Sequence, residues 1–387
     1  MLHRKCLIST LLITLLMTGS VWGASSTLSP LTPATITIDA PHAVLIDALS
    51  GEVLFNQGEE ERAYPASTTK IMTLVVALEA VASGRVSLDD PVSASEYACS
   101  FGGTQVYATP GETHPLKEWL VAVAVGSAND GSVVVAEHVA GSVERFAEMM
   151  NDKARELSMV NSHFTNPHGL HDDEHYTTAL DMARLARHAV TVPGLLEITG
   201  IYRTTFRDGT FGLDNYNRLV RTYEGCDGLK TGHTSDAGFC LVATAQREGS
   251  RFIAVAMTSP SAAERNEDIV RMLDYSFANY RSIPVAEKGE LMGTARVFKG
   301  LAEEVNIIAP FQYGLTVDKG HETGIEQEVI IHSLTAPVVT GQVAGEVRLI
   351  RDGDILHTFD LVTEQEVPRS GFLHMWRNLL KKLLSGR

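Results

Sequence analysis

Apolar and polar positions along the chain repeat with two different periods, and the switches between them mark out its elements. Residues 42–47 and 52–55 are short apolar runs joined by Ser50-Gly51, a pattern that predicts a β-hairpin. The run 71–78 is apolar without the polar stripe of a surface helix, so the helix it predicts is central and buried. Positions 116–125 and 132–140 repeat apolar residues at helical spacing, 143–157 alternates apolar and charged residues as a surface helix does, and 176–190 predicts a further helix. From Asp227 the pattern turns into strands separated by turns, through 251–257, closed by a helix over 265–280 that can pack on the sheet. Beyond about 283 come short alternating strands, among them 328–332 and 346–350, the latter followed by an Asp352-Gly353 turn and 355–361. The sum is an α/β (α+β) chain with a β-rich second domain.

The two ends carry patterns of another kind. His3-Arg4-Lys5, an apolar stretch over 7–17 and mostly small residues over 18–24 predict a secretory signal peptide, residues 1–23, cut before Ala24. Its apolar core is too short to span a bilayer. At the other end, Phe372, Trp376, Leu379, Leu380 and Leu383 share one helical face while Arg377, Lys381 and Lys382 lie off it, and no acid follows Glu366. Residues 368–387 are therefore expected to form an amphipathic helix on an anionic membrane surface, detached by the 368–371 break; docking on its own domain is the other reading.

Composition narrows the picture. With 387 residues, 44% hydrophobic and 20% charged, the chain can bury a sizeable core in two domains. A net charge of −15 argues against a nucleic-acid partner. Cys6 lies in the signal, leaving Cys99, Cys226 and Cys240, so no disulfide framework is expected; Cys226 and Cys240 flank one predicted hairpin, and buried free thiols are the simpler reading.

Candidate chemistry begins at Tyr64-Pro-Ala-Ser-Thr-Thr-Lys-Ile-Met-Thr73. Pro65 is expected to set an extended entry and Ser67 to Thr69 to cap the buried helix; a spacing of three puts Ser67 and Lys70 on one face, where the amine can reach the hydroxyl. Taken singly this is also an ordinary cap followed by a solvated lysine. Ser127-Ala-Asn129 emerges between two apolar helices, where a plain helix-breaking turn would also fit. Lys230-Thr231-Gly232 lies on a strand, and its glycine would let a substrate backbone approach. His163, His168, His171 and His175 stand near Asp172, Asp173 and Glu174 but match no compact metal-ligand template, so a structural role is favoured over zinc.

Ser-x-x-Lys, Ser-x-Asn about 60 residues on and Lys-Thr-Gly about 100 later are far more specific together than apart. On these motifs, with Asn166-Pro-His-Gly-Leu170 and Asp227-Gly-Leu-Lys-Thr-Gly-His-Thr234, the chain resembles the low-molecular-mass penicillin-binding proteins, the serine-type D-alanyl-D-alanine carboxypeptidases. It reads Ala128-Asn129-Asp130-Gly131 where many members have Gly-Asn-Asp-Ala, a swap that leaves the polar atoms in place.

The resemblance implies a β-lactamase/transpeptidase-like catalytic domain over 24–282, with an antiparallel sheet flanked by helices, and a smaller β-rich domain over 283–367 as a spacer from the membrane. It implies removal of the terminal D-alanine from peptidoglycan pentapeptides through an acyl-enzyme on Ser67, with β-lactams as covalent inhibitors. Lys70 is the expected base, Ser127 a proton relay and Asn129 the group that orients the substrate amide and Lys70. Lys230 and Thr231 would hold the terminal carboxylate, His233 and Ser67 would supply oxyanion-hole N–H groups beside Gly232, and Arg265 is a further carboxylate candidate. No cofactor or metal is implied, and the expected location is the outer face of the cytoplasmic membrane. The rival readings are a class A-like β-lactamase, a zinc D,D-peptidase and a non-catalytic cell-wall scaffold.

Overall fold

The computed structural model describes residues 36–371, so the signal-peptide expectation and the helical face from Phe372 onward lie outside the described residues. Its larger part is built on a five-stranded antiparallel sheet in the order Val53–Gln57, His42–Asp47, Ser250–Ser259, Gly238–Arg247, Cys226–Thr234. The predicted 42–55 hairpin is thus present, with its partner strand supplied from some two hundred residues away. The inner strands read as continuous apolar runs because both faces are covered. Along Gly238–Arg247, Leu241, Ala243 and Ala245 turn toward Ile269, Met272 and Leu273 of the Ala262–Asn279 helix. Cys240 and Val242 turn the other way, into the core that contains Ile71, Leu74 and Val75.

That second core is helical. Lys70–Ala82 lies at its centre, with every residue from Lys70 to Leu78 buried, as its unbroken apolar run requires. Helices Leu116–Ala124, Asn129–Ala140, Val143–Glu156 and Ala179–Ala189 pack around it. The entry to the central helix differs from expectation. Pro65 is in the helical region (φ −75°, ψ −21°), Ala66–Thr69 is a 3₁₀ turn, and neither N-cap position makes a side-chain cap. The hydroxyls are drawn elsewhere: Thr68 Oγ1 donates to Pro65 O and Thr69 Oγ1 bonds His175. Continuity of the turn with the helix leaves no extended residue whose side chain can reach back to an N–H.

The β-rich part opens with Tyr280–Ala286, which pairs with Tyr313–Asp318. Six further strands follow in the order Glu326–Ile331, Val343–Arg351, Asp354–Thr363, Glu304–Ile308, Leu291–Phe298, Leu334–Thr335, antiparallel except for the last pair. They enclose their own core of Val297, Val305, Ile307, Val347 and Leu361. The turn after the first strand of the chain is wired to this part. Buried Asp47 accepts from Ser282 Oγ (2.6 Å) and Thr316 Oγ1 (3.0 Å). The expected break at 368–371 does not detach the chain: Leu301 N donates to Pro368 O and Ser370 N to Lys299 O, each at 2.8–2.9 Å. Residues 368–370 thus finish the β-rich part, because their backbone groups still find partners at its rim.

Candidate active site

Ser67 and Lys70 sit where the 3₁₀ turn runs into the buried helix. Ala66 is held at φ 48°, in the left-handed region that an alanine rarely enters, so the turn presenting Ser67 is over-determined by its surroundings. Two glycines supply that constraint by yielding space. A Cβ on Gly169, at φ +80°, would fall 1.8 Å from Ala66 O, and one on Gly232 would fall 2.8 Å from Pro65 O and 3.0 Å from Ser67 N. The Lys-Thr-Gly glycine therefore serves close approach of the Ser67 turn, a contact that its position on a strand did not announce.

Lys70 is fully buried. Its Nζ stands 3.0 Å from Ser67 Oγ, 2.8 Å from Asn129 Oδ1 and 2.7 Å from His168 O. Burial first, and then the cation of Lys230, hold its pKa well below the ordinary lysine value. A neutral amine has two N–H donors and one lone pair, and the three oxygens match that set if Asn129 and His168 O accept while the serine hydroxyl turns its hydrogen to nitrogen. The arrangement can take up the proton of a serine that attacks a carbonyl.

The carbonyl of His168 comes from the 166–170 loop. Asn166 Oδ1 accepts from Gly169 N (2.7 Å), and Thr73 Oγ1 of the central helix donates to Pro167 O (2.6 Å), so the loop is stapled to the helix that carries Lys70. Burial pushes the pKa of His168 down to about 3 and of His175 to about 4, leaving both rings neutral. His175 Nδ1 accepts from Thr165 N (3.1 Å), which puts the ring proton on Nε2, donated to Thr69 Oγ1 at 2.8 Å. The ring of His175 thus ties the chain at Thr165 to the Ser67 turn at Thr69.

Ser127 and Asn129 lie on the far side. The loop between the helices is shorter than expected, since Asn129 is already the first residue of Asn129–Ala140. Ser127 is almost buried and held at φ 57°. Asn129 Nδ2 donates to Gly102 O (2.8 Å) and its N–H to Thr104 O (2.8 Å). The buried carboxylate of Asp130 accepts from Val106 N (3.1 Å) and Ala108 N (3.0 Å). Sequence reading missed Asp130, Gly169 and the 102–108 loop; the first two lay inside quoted motifs, whereas the loop had no periodic pattern to announce it.

The facing strand, Cys226–Thr234, brings Lys230, Thr231, Gly232 and His233 to the same cleft. Lys230 and Thr231 are buried, whereas His233 is exposed with its ring stacked on Phe239 at 4.1 Å. Lys230 makes a single protein bond, to Thr231 O at 3.2 Å, among the described residues. Burial and then Arg265 lower its pKa to about 7. Arg265, at the start of Ala262–Asn279, is buried behind the strand, bonded to Asn266 Oδ1 (2.8 Å) and Cys240 O (3.4 Å), with its own pKa lowered to about 10 by burial. Cys226 and Cys240 are free and buried.

Two family models match the chain. Residues 28–261 match "D-alanyl-D-alanine carboxypeptidase" and residues 280–369 match "Penicillin-binding protein 5, C-terminal domain". D-alanyl-D-alanine carboxypeptidase DacF of Bacillus subtilis is 35% identical over 374 residues, covering 95% of this chain and 96% of that protein. DacA of Haemophilus influenzae is 33% identical over 355 residues, covering 89% of each. Among solved structures, penicillin binding protein 5 from Haemophilus influenzae superposes with a TM-score of 0.74 at 31% identity, over 87% of this chain and 99% of that one.

Proposed function

The chain belongs to the D-alanyl-D-alanine carboxypeptidase family of low-molecular-mass penicillin-binding proteins, and from that premise we propose how its residues divide the work. It is a serine-type D-Ala-D-Ala carboxypeptidase acting on peptidoglycan, and it binds β-lactams. In our reading Ser67 Oγ attacks the carbonyl between the two terminal D-alanines while its proton passes to the neutral amine of Lys70. The N–H groups of Ser67 and His233 receive the developing oxyanion. That pairing is supported by the near-contact of Gly232 with Ser67 N.

The bond to the terminal D-alanine then breaks, and its nitrogen needs the proton that Lys70 took. Ser127 relays it, and the free amino acid leaves with the carboxylate that Lys230 and Thr231 held, Arg265 adding positive charge behind them. Water attacks the remaining ester on Ser67, again yielding its proton to Lys70, and restores the hydroxyl. A β-lactam enters the same ester, but its amine stays tethered after ring opening and blocks the water.

The observation that carries this reading is the triple contact of Lys70 Nζ with Ser67 Oγ, Asn129 Oδ1 and His168 O in a fully buried site. Ser67→Ala is expected to abolish both D-alanine release from a pentapeptide and covalent labelling by fluorescent penicillin, with the fold unchanged by circular dichroism. Labelling that survives would remove Ser67 from the role.

As a peptidoglycan carboxypeptidase the protein works in the cell envelope. We further propose peripheral attachment through the basic amphipathic residues after Gly371, on the outer face of the cytoplasmic membrane. The support is the one-sided apolar pattern and the lack of acid after Glu366. Intact protein is expected to sediment with anionic vesicles and to be partly released by high salt; indifference to the vesicles would return that segment to the protein core.

A further inference from the structure

Asn129 can help Lys70 only if its amide points the right way. Its Oδ1 accepts from Lys70, so its Nδ2 must face away, and it does so by donating to Gly102 O at 2.8 Å. A half-turn of the amide would set its NH₂ against the amine, removing an acceptor that Lys70 needs. The position of one loop carbonyl therefore decides the hydrogen-bond set of the lysine. The loop also lies directly on the amide, since a Cβ on Gly103, at φ +78°, would fall 2.9 Å from Asn129 Nδ2.

The loop packs only in part: Val106 and Ala108 are buried in the helical core, whereas Gly102, Gly103 and Thr104, next to the amide, are exposed, and Tyr107, 65% exposed, sits at φ 57°. Asp130 holds its inner edge through Val106 N and Ala108 N. Its carbonyls are held from the other side. Arg207 donates from one Nη to Val106 O (2.8 Å) and from the other to Tyr107 O (3.0 Å). The guanidinium is itself fixed by Glu112 in a two-point pair, Nε to Oε1 at 2.5 Å and Nη2 to Oε2 at 3.0 Å, with side-chain exposures of only 23% and 14%. Glu112 is pinned in turn by Thr109 N (3.0 Å) and His114 Nε2 (2.8 Å). Hydrogen bonds, first of all from Arg207, hold its carboxyl down at about 2 against the effect of burial, so it stays charged throughout the working pH range.

We propose that Arg207 and Glu112 form a positioning clamp for catalysis: by fixing the 102–108 loop they keep the Asn129 amide oriented with its oxygen toward Lys70. Arg207 comes from a separate hairpin, Arg203–Phe206 with Phe211–Asp214, so the clamp ties that hairpin to the catalytic centre. Neither residue touches Ser67 or Lys70; both act through Asn129. The proposal rests on the reading that Lys70 activates Ser67.

The test is stopped-flow acylation of the intact protein by a fluorescent penicillin, which separates the acylation rate constant from dissociation of the preceding complex. Arg207→Ala is expected to lower the rate constant by about tenfold while the dissociation constant changes less than about twofold, as displacement of a group used only in the reaction requires. Arg207→Lys should recover only part of the loss, because an ammonium cannot meet two carbonyls and a carboxylate in the planar geometry of a guanidinium. Glu112→Gln should give a smaller loss, and the double variant Arg207→Ala/Glu112→Gln no more than Arg207→Ala alone, since the two act as one unit. A folded Arg207→Ala with an unchanged rate constant, or a loss confined to the dissociation constant, overturns the clamp. If Arg207→Ala does not fold, Glu112→Gln with an unchanged rate constant overturns it equally. Failure of the underlying reading is distinguishable, because it would appear as undiminished acylation in Lys70→Ala or as labelling that survives Ser67→Ala.

Discussion

The two walls of the cleft hold their lysines in opposite ways. On the helical wall Lys70 is surrounded by oxygens, with Ser67, Asn129 and His168 O all within 3.0 Å. On the strand wall Lys230 is just as buried but has a carbonyl beside it at 3.2 Å and Arg265 behind it. A satisfied amine of lowered pKa is suited to moving a proton and needs nothing further from a ligand. A buried, under-bonded cation is costly until an anion arrives. The difference supports our reading of one wall as chemical and the other as carboxylate-binding, a division that the presence of two lysines in two motifs does not itself express.

The sharpest way to break the comparison is to remove its first member. Lys70→Ala is expected to slow penicillin acylation by about a thousandfold or more, since it deletes the proposed base and its contact with Ser67 Oγ. A fully active Lys70→Ala would show that the helical wall only binds. Next in size is Gly232→Ala. The new methyl would meet Pro65 O at 2.8 Å and Ser67 N at 3.0 Å, driving the walls apart and misplacing the nucleophile against the facing strand. A loss of about a hundredfold in acylation is expected, with secondary structure retained. An unaffected Gly232→Ala would mean that the contact between the walls has no bearing on the reaction.

Lys230→Ala should act on recognition, raising KM for a pentapeptide by about tenfold or more and changing kcat less, as loss of a charged hydrogen bond predicts. The same wall carries a pH signature. Since Lys230 has its pKa lowered to about 7, it is protonated below that value and becomes neutral above it. Affinity for a substrate carboxylate, ionised throughout this range, should be fullest below pH 7 and weaken as pH rises through 7, while bound carboxylate raises the pKa of the lysine in return. Lys230→Arg should flatten that dependence, and KM measured between pH 6 and about 9 checks it. If KM rises with pH in Lys230→Arg as in the parent, the dependence belongs to another group.

The smallest effect is expected furthest from both walls. Truncation after Gly371 should leave D-alanine release unchanged, because in our reading the residues beyond it serve membrane attachment and not the cleft. Truncation after Val367 would also remove the bonds of Pro368 O and Ser370 N to the β-rich part, and should lower the melting temperature by a few degrees more. Equal stability of the two truncations would put the end of the domain where the sequence pattern had suggested it.

Some of this molecule is determined by the sequence alone. The apolar run 71–78 reads as a buried helix, the apolar runs after 227 read as strands separated by turns, and Ser67, Lys70 and Lys230 stand out as candidates for the chemistry, because side-chain period and functional-group type are local properties. What surrounds those groups is not local. The third partner of Lys70 is the backbone carbonyl of His168, which any residue type could have supplied. Gly232 faces the Ser67 turn across a gap of more than 160 residues, and the apparent caps of the central helix are spent on Pro65 and His175. Arg207 reaches two carbonyls about a hundred residues away. Hydrogen-bond partners and close backbone approaches are fixed only when segments meet in space, and no periodicity in either segment records which atom of the other it will meet. The tertiary structure alone decided which of the two buried lysines is satisfied and which is left waiting for an anion.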